Sequence, residues 1–102
     1  MQFVYFQLQD ERGKVIEDSK LNFAEVILEL WEIDDAKNKF PWLFSIDPYG
    51  YTYFNVHQAP IVAKELNELL PLVPDHTKVI IQGALEFANK VEQHDYLRFD
   101  GD

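Results

Sequence analysis

The chain has 102 residues, 47% of them hydrophobic, which is the size of one folded domain spanning residues 1–102. It contains no cysteine, which excludes disulfides, thiolate metal sites and cysteine nucleophiles. Eighteen acidic against nine basic side chains give a net charge of -9, which disfavours nucleic acid phosphates and anionic lipid surfaces as partners and favours a basic protein.

The opening MQFVYFQLQDERGK lacks a basic stretch followed by a long apolar run, so it does not read as a signal peptide. No apolar run approaches the ~20 residues needed to span a bilayer. With the absence of cysteine, this points to a cytoplasmic protein.

Residues 3–9, FVYFQLQ, alternate with period two and predict a strand. Asp10-Glu11-Arg12-Gly13 suits a type I turn with a following bulge, and residues 14–17 return as a second strand. Residues 22–34 are ambiguous. Phe23, Val26, Ile27, Leu30 and Trp31 fall at helical spacing, with Asn22 and Glu25 placed for a capping box. Val26, Leu28 and Leu30 also alternate as a strand would. The helix is preferred, and it aligns Glu25, Glu29 and Glu32 on one face.

Residues 35–41 read as a polar linker. The next stretch, WLFSIDPYGYTYFN, centres on Asp47-Pro48-Tyr49-Gly50, in which proline presets φ and glycine accepts a positive one. Aromatic and β-branched flanks at 42–46 and 51–55 predict a β-hairpin around it. Pro60 suits a first helical turn, and Ile61, Val62, Leu66, Leu69 and Leu70 form an apolar stripe opposite Lys64, Glu65, Asn67 and Glu68. Pro71 and Pro74 end that helix. A longer one is expected over 76–93, capped by Asp75 or Thr77, with Gly83 allowing a neighbour to approach closely. Tyr96-Leu97-Arg98-Phe99 is a last strand signal. The pattern is α+β: an antiparallel or mixed sheet of about four to five strands, with two to three helices packed on one face.

Little in this pattern supports catalysis. His57, His76 and His94 are far apart in sequence, Ser19 and Ser45 lie in no nucleophile elbow, and the four glycines are isolated. No cofactor, metal or enzymatic activity is expected. Asp47 beside Asn55 could serve as a site carboxylate, but its place in the turn already accounts for it, as it does for Pro48 and Gly50.

Charge and aromatics point instead to a binding surface. Residues 1–35 hold nine acids against three bases, and the remainder nine against six. Glu25, Glu29, Glu32, Asp34 and Asp35 follow one another with no base between Ala24 and Ala36. Trp42, Tyr49, Tyr51 and Tyr53 cluster near the hairpin, where a one-sided sheet leaves some aromatics exposed.

The stretch SIDPYGYTYFNVHQ and the terminal YLRFDGD resemble a group of small bacterial proteins sharing D-P-Y-G-x-T-x-F-N-x-x-Q and Y-L-x-F-x-G-D. The matching positions are Asp47, Pro48, Tyr49, Gly50, Thr52, Phe54, Asn55 and Gln58, then Tyr96, Leu97, Phe99, Gly101 and Asp102. Tyr51 departs from the pattern, which favours a small polar or acidic residue there. The group is similar to immunity proteins of polymorphic toxin systems. The resemblance implies an inhibitor that binds a toxin domain, such as a basic nuclease, and it assigns no catalytic residue. A homodimer formed through the aromatic hairpin is the alternative, and a small ligand-binding domain or enzyme around Asp47, Asn55, His57 and Gln58 is the third reading.

Overall fold

A computed structural model describes residues 2–102. Strand β1 (Val4–Gln9) and strand β2 (Val15–Asp18) form the expected hairpin. Asp10 makes its turn: Oδ1 accepts the backbone N–H groups of Arg12 and Lys14, both at 2.9 Å. Gly13 sits at φ 82°, the positive value its missing Cβ permits. The register then slips between Leu8 and Gln9, leaving Ile16 as an extra residue on β2.

The last strand, β4 (Tyr96–Gly101), enters the sheet beside the first, and β3 (Tyr51–Phe54) lies outside it. The order is β2-β1-β4-β3, antiparallel throughout. Alternation decides the faces. Val4, Phe6, Leu8, Phe54, Leu97 and Phe99 are buried on the inner one. Three helices cover that face: α1 (Ala24–Trp31), α4 (Ala59–Leu69) and α5 (Asp75–Asn89). Between α1 and α4 lie two short helices, α2 (Ala36–Lys39) and α3 (Pro41–Phe44). Phe23 of the loop before α1 and Phe87 of α5 meet the sheet's Phe6 edge-on, at 6.0 and 5.1 Å between ring centres. Such pairs add about 0.5–1.5 kcal/mol each beyond the area they bury.

The ambiguous segment is helical because only a helix puts Val26, Ile27 and Leu30 into the core together with Phe23. Asn22 does not form a capping box there. Its Oδ1 accepts the N–H groups of both Val4 (2.9 Å) and Ala24 (3.0 Å), and its Nδ2 donates to the Gln2 carbonyl (2.8 Å). The residue ties the start of α1 to β1, and Glu25 makes no return bond among the described residues.

Two expectations fail between residues 35 and 46. The polar linker contains α2, which buries Ala36, while Phe40 is buried at its end. The first arm of the predicted hairpin is not a strand but α3. Pro41 presets its first turn, and Glu65 of α4 accepts the N–H groups of Trp42 (3.1 Å) and Leu43 (3.0 Å). This also corrects Glu65, expected on the solvent side of α4 but only 6% exposed. With no hairpin partner, β3 pairs among the described residues with β4 alone.

The chain after α4 continues through a 3₁₀ turn, Leu70–Leu72, and Pro74 rather than Asp75 or Thr77 occupies the N-cap of α5. Gly83 allows the close approach expected of it, since a Cβ there would lie 2.6 Å from the Leu21 Cδ1.

Candidate protein-binding surfaces

The distinctive D-P-Y-G stretch and the closing G-D are spent on the fold. Asp47 Oδ1 accepts the Tyr49 N–H (2.9 Å), and the Asp47 N–H donates to Thr52 Oγ1 (2.9 Å). Asn55 Oδ1 accepts the N–H groups of His57 (2.9 Å) and Gln58 (3.0 Å), while Gln58 Oε1 accepts the Asn55 N–H (2.9 Å). That reciprocal pair closes the turn that leads into α4, whose N-cap is Gln58. The Gly101 N–H donates to the Gly50 carbonyl (2.8 Å), and a Cβ on Gly101 would run into the Pro48 backbone. The turn thus rests on the last strand. Asp102 Oδ1 accepts the N–H groups of Gln2 and Phe3, both at 3.1 Å. Those of Phe3 and then Gln2 hold its carboxyl below the ordinary aspartate range. Asp47 and Asn55 are therefore turn residues, the Oδ1 of each accepting backbone N–H groups.

His57, His76 and His94 are all exposed. His94 has φ 72°, and its Nδ1 lies 3.7 Å from a Glu11 oxygen. Among the described residues no three His, Asp or Glu side chains converge as metal ligands do. None of their helices is long and apolar enough to cross a membrane.

What remains is two surfaces. On α1 the buried stripe is Ala24, Val26, Ile27 and Leu30, so the opposite side faces away from the sheet. That side carries Glu25, Glu29 and Glu32, with Asp34 and Asp35 following. Among the described residues none of these five is in an ion pair. Asp35 sits at φ 61° and accepts Asn38 Nδ2 at 2.7 Å. Leu28 and Trp31 lie on the same helix, 51% and 47% exposed. Helical spacing had suggested a buried Trp31. The ring lies at the stripe's edge, three residues from Leu28, and this second signal was available in the same spacing.

The second surface is the outer face of the sheet. Register places Tyr5, Asp100 and Tyr51 in one cross-strand row, and Asp18, Gln7, Arg98 and Tyr53 in the next. The Arg98 guanidinium lies over the Tyr51 ring at 4.2 Å and near Tyr53 at 5.7 Å. Phe3 stacks on Tyr5 at 5.7 Å, and Tyr53 meets Tyr96 edge-on at 6.1 Å. Alternation within Y-L-R-F would have put Arg98 and Tyr96 on this face.

None of the family models, curated proteins or solved structures compared with this chain matches it. The geometry therefore stands by itself. It separates the residues that the sequence grouped as one acidic and aromatic surface. Tyr51 and Tyr53 share the outer sheet face, but Trp42 turns inward, its ring 6.2 Å from that of Phe54. Tyr49 stands alone at the turn, 64% exposed. The core lies between the five acids of the α1 segment and the tyrosines.

Proposed function

We propose that this chain is a protein-binding domain that docks a basic partner on the outer side of α1 and thereby inhibits it, as an immunity protein inhibits a toxin. The observation that carries the binding half is the ridge of Glu25, Glu29 and Glu32, unpaired among the described residues and set beside exposed Leu28 and Trp31. The ridge works against its own helix. Like charges four apart, as at Glu25 and Glu29, cost about 0.2–0.5 kcal/mol. No basic residue occupies the last turn, where the helix dipole favours one and disfavours Glu32. A charge pattern that costs stability locally is accounted for by a ligand that neutralises it.

Apolar and acidic groups divide the work of recognition. The carboxylates steer a basic surface into encounter, and a tryptophan with a leucine beside it supplies a desolvated anchor. The inhibitory half of the reading is supported by the resemblance carried by Asp47–Gln58 and Tyr96–Asp102. A toxin domain such as a basic nuclease is the partner class that fits both halves.

Affinity capture from the native host in rising salt tests this reading. The expected product is one basic protein, held one-to-one, whose activity the chain blocks. Reversing Glu25, Glu29 and Glu32 to lysine together is expected to slow association about tenfold or more at low salt and to flatten its salt dependence. Unchanged association in that variant removes α1 as the docking surface, and a partner whose activity the chain leaves intact removes the inhibitor.

A further inference from the structure

We infer that the outer face of the sheet is a self-association surface, where a second copy of this chain packs face to face. The argument starts from charge. The chain carries -9, so two copies repel over most of their surfaces. The outer sheet face is close to balanced: Asp18, Asp100 and the corner carboxylate of Asp102 stand against Arg98 and Lys20, one net negative charge. It is a broad, aromatic face on which two such molecules meet with little like charge.

The composition fits an interface rather than a solvated face. Tyr5, Tyr51 and Tyr53 are exposed large aromatics in adjacent rows, and tyrosine and arginine are the residues enriched where proteins meet. Arg98 is prepared for a partner. Its guanidinium is held over Tyr51 and its Nε is buried without a partner, and among the described residues its one side-chain hydrogen bond is a long 3.4 Å contact to Asp100. Of a guanidinium's five N–H donors, the Nε–H of Arg98 is buried, which leaves those of Nη1 and Nη2 to face outward. A two-fold contact is self-complementary, so each copy offers this donor together with Asp18 and Asp100 as acceptors.

Size sets the strength. Two central strands of six residues and two edge strands of four, about 4.8 Å apart, give a patch about 20 Å wide and about 13–20 Å long. That is below the standard size of a specific interface, so only a weak dimer is expected, with a dissociation constant on the order of 100 μM. The pairing leaves α1 free, because α1 lies across the core from this face. A dimer would thus present two acidic ridges outward, and its existence is independent of whether α1 binds a basic partner.

Sedimentation equilibrium of the 102-residue chain, from about 1 to about 500 μM and at low and high salt, tests the inference. A dimer that tightens as salt rises is expected, because screening relieves the repulsion between the two negative molecules. A complex of α1 with a basic partner must respond to salt in the opposite sense. Tyr53→Asp, at an exposed site that leaves the circular dichroism spectrum unchanged, is expected to weaken the dimer about tenfold or more, and Trp31→Ala to leave it intact. A monomer at every concentration, a dimer that survives Tyr53→Asp, or one that disappears with Trp31→Ala overturns the assignment.

Discussion

The corner where Asp47–Gly50 meets Gly101 and the outer side of α1 differ in how they use polar groups. At the corner, the side chains of Asp47, Thr52, Asn55, Gln58 and Asp102 are each bonded to the backbone. On α1, Glu25, Glu29 and Glu32 are bonded to nothing among the described residues and oppose one another. The corner is the most distinctive sequence in the chain and is explained by folding alone. The helix face is plain sequence and is left unexplained by folding. Distinctiveness in a sequence marks a demanding local geometry, which is as often a turn as a site.

This contrast breaks first at Gly101. A Cβ there meets the backbone of Pro48 and Tyr49, which cannot swing aside as a side chain can. Gly101→Ala is expected to cost about 2–4 kcal/mol in urea unfolding. Gly83→Ala is its control, because that Cβ meets only the end of the Leu21 side chain. A gain of up to about 1 kcal/mol in helix propensity offsets the shift, so a small net change is expected. Equal losses at both glycines would show that the corner is not special.

The next effect is at Glu65. Glu65→Ala strands the N–H groups of Trp42 and Leu43 at the start of α3, for an expected loss of about 2–3 kcal/mol. Glu65→Gln keeps an acceptor oxygen and is expected to lose less. If both variants unfold like the parent, the carboxylate does not hold α3.

That contact also explains what the sequence could and could not tell. Alternation in FVYFQLQ and Y-L-R-F, and the 3.6-residue stripes of α4 and α5, are local signals, and they placed β1, β4 and both helices, although α5 stops at Asn89 and does not run on to residue 93. In W-L-F-S-I the local signal pointed to a strand, and a carboxylate 22 residues away from Leu43 overrode it. No pattern within residues 42–46 encodes that partner. The pairing of β4 with both β1 and β3 is likewise a property of the whole chain. Among the surface residues, Glu25, Glu29, Glu32, Tyr51 and Tyr53 were legible because helical and strand periods assign faces. Trp42 was not, because its segment was assigned to the wrong element.

A smaller and opposite effect is expected on α1. Changing Glu29 and Glu32 together to glutamine, with Glu25 kept because the helix dipole favours an acid in the first turn, removes the repulsion without removing a bond, and is expected to raise stability by about 0.5–1 kcal/mol at low salt. The gain should shrink as salt screens the parent. A loss of stability in this variant would mean that the ridge serves the fold, and would remove the ground for reading it as a binding surface.

The smallest effect returns to the corner. Asp102 is an exposed carboxylate, yet it accepts N–H groups from Phe3 and Gln2, and these lower its pKa below the ordinary aspartate value of 3.8. A carboxyl depressed in the folded state stabilises it above the unfolded pKa, and that contribution is lost as pH falls through the lower, folded value. The stability attached to Asp102 is therefore complete at neutral pH and declines only below about pH 4. Asp102→Asn keeps an oxygen acceptor but cannot titrate, so its melting temperature is expected to fall less steeply than the parent's below that pH. Parallel acid profiles for the two proteins would show that the contact at the first strand does not distinguish charge, and that this end of the corner is held by backbone pairing alone.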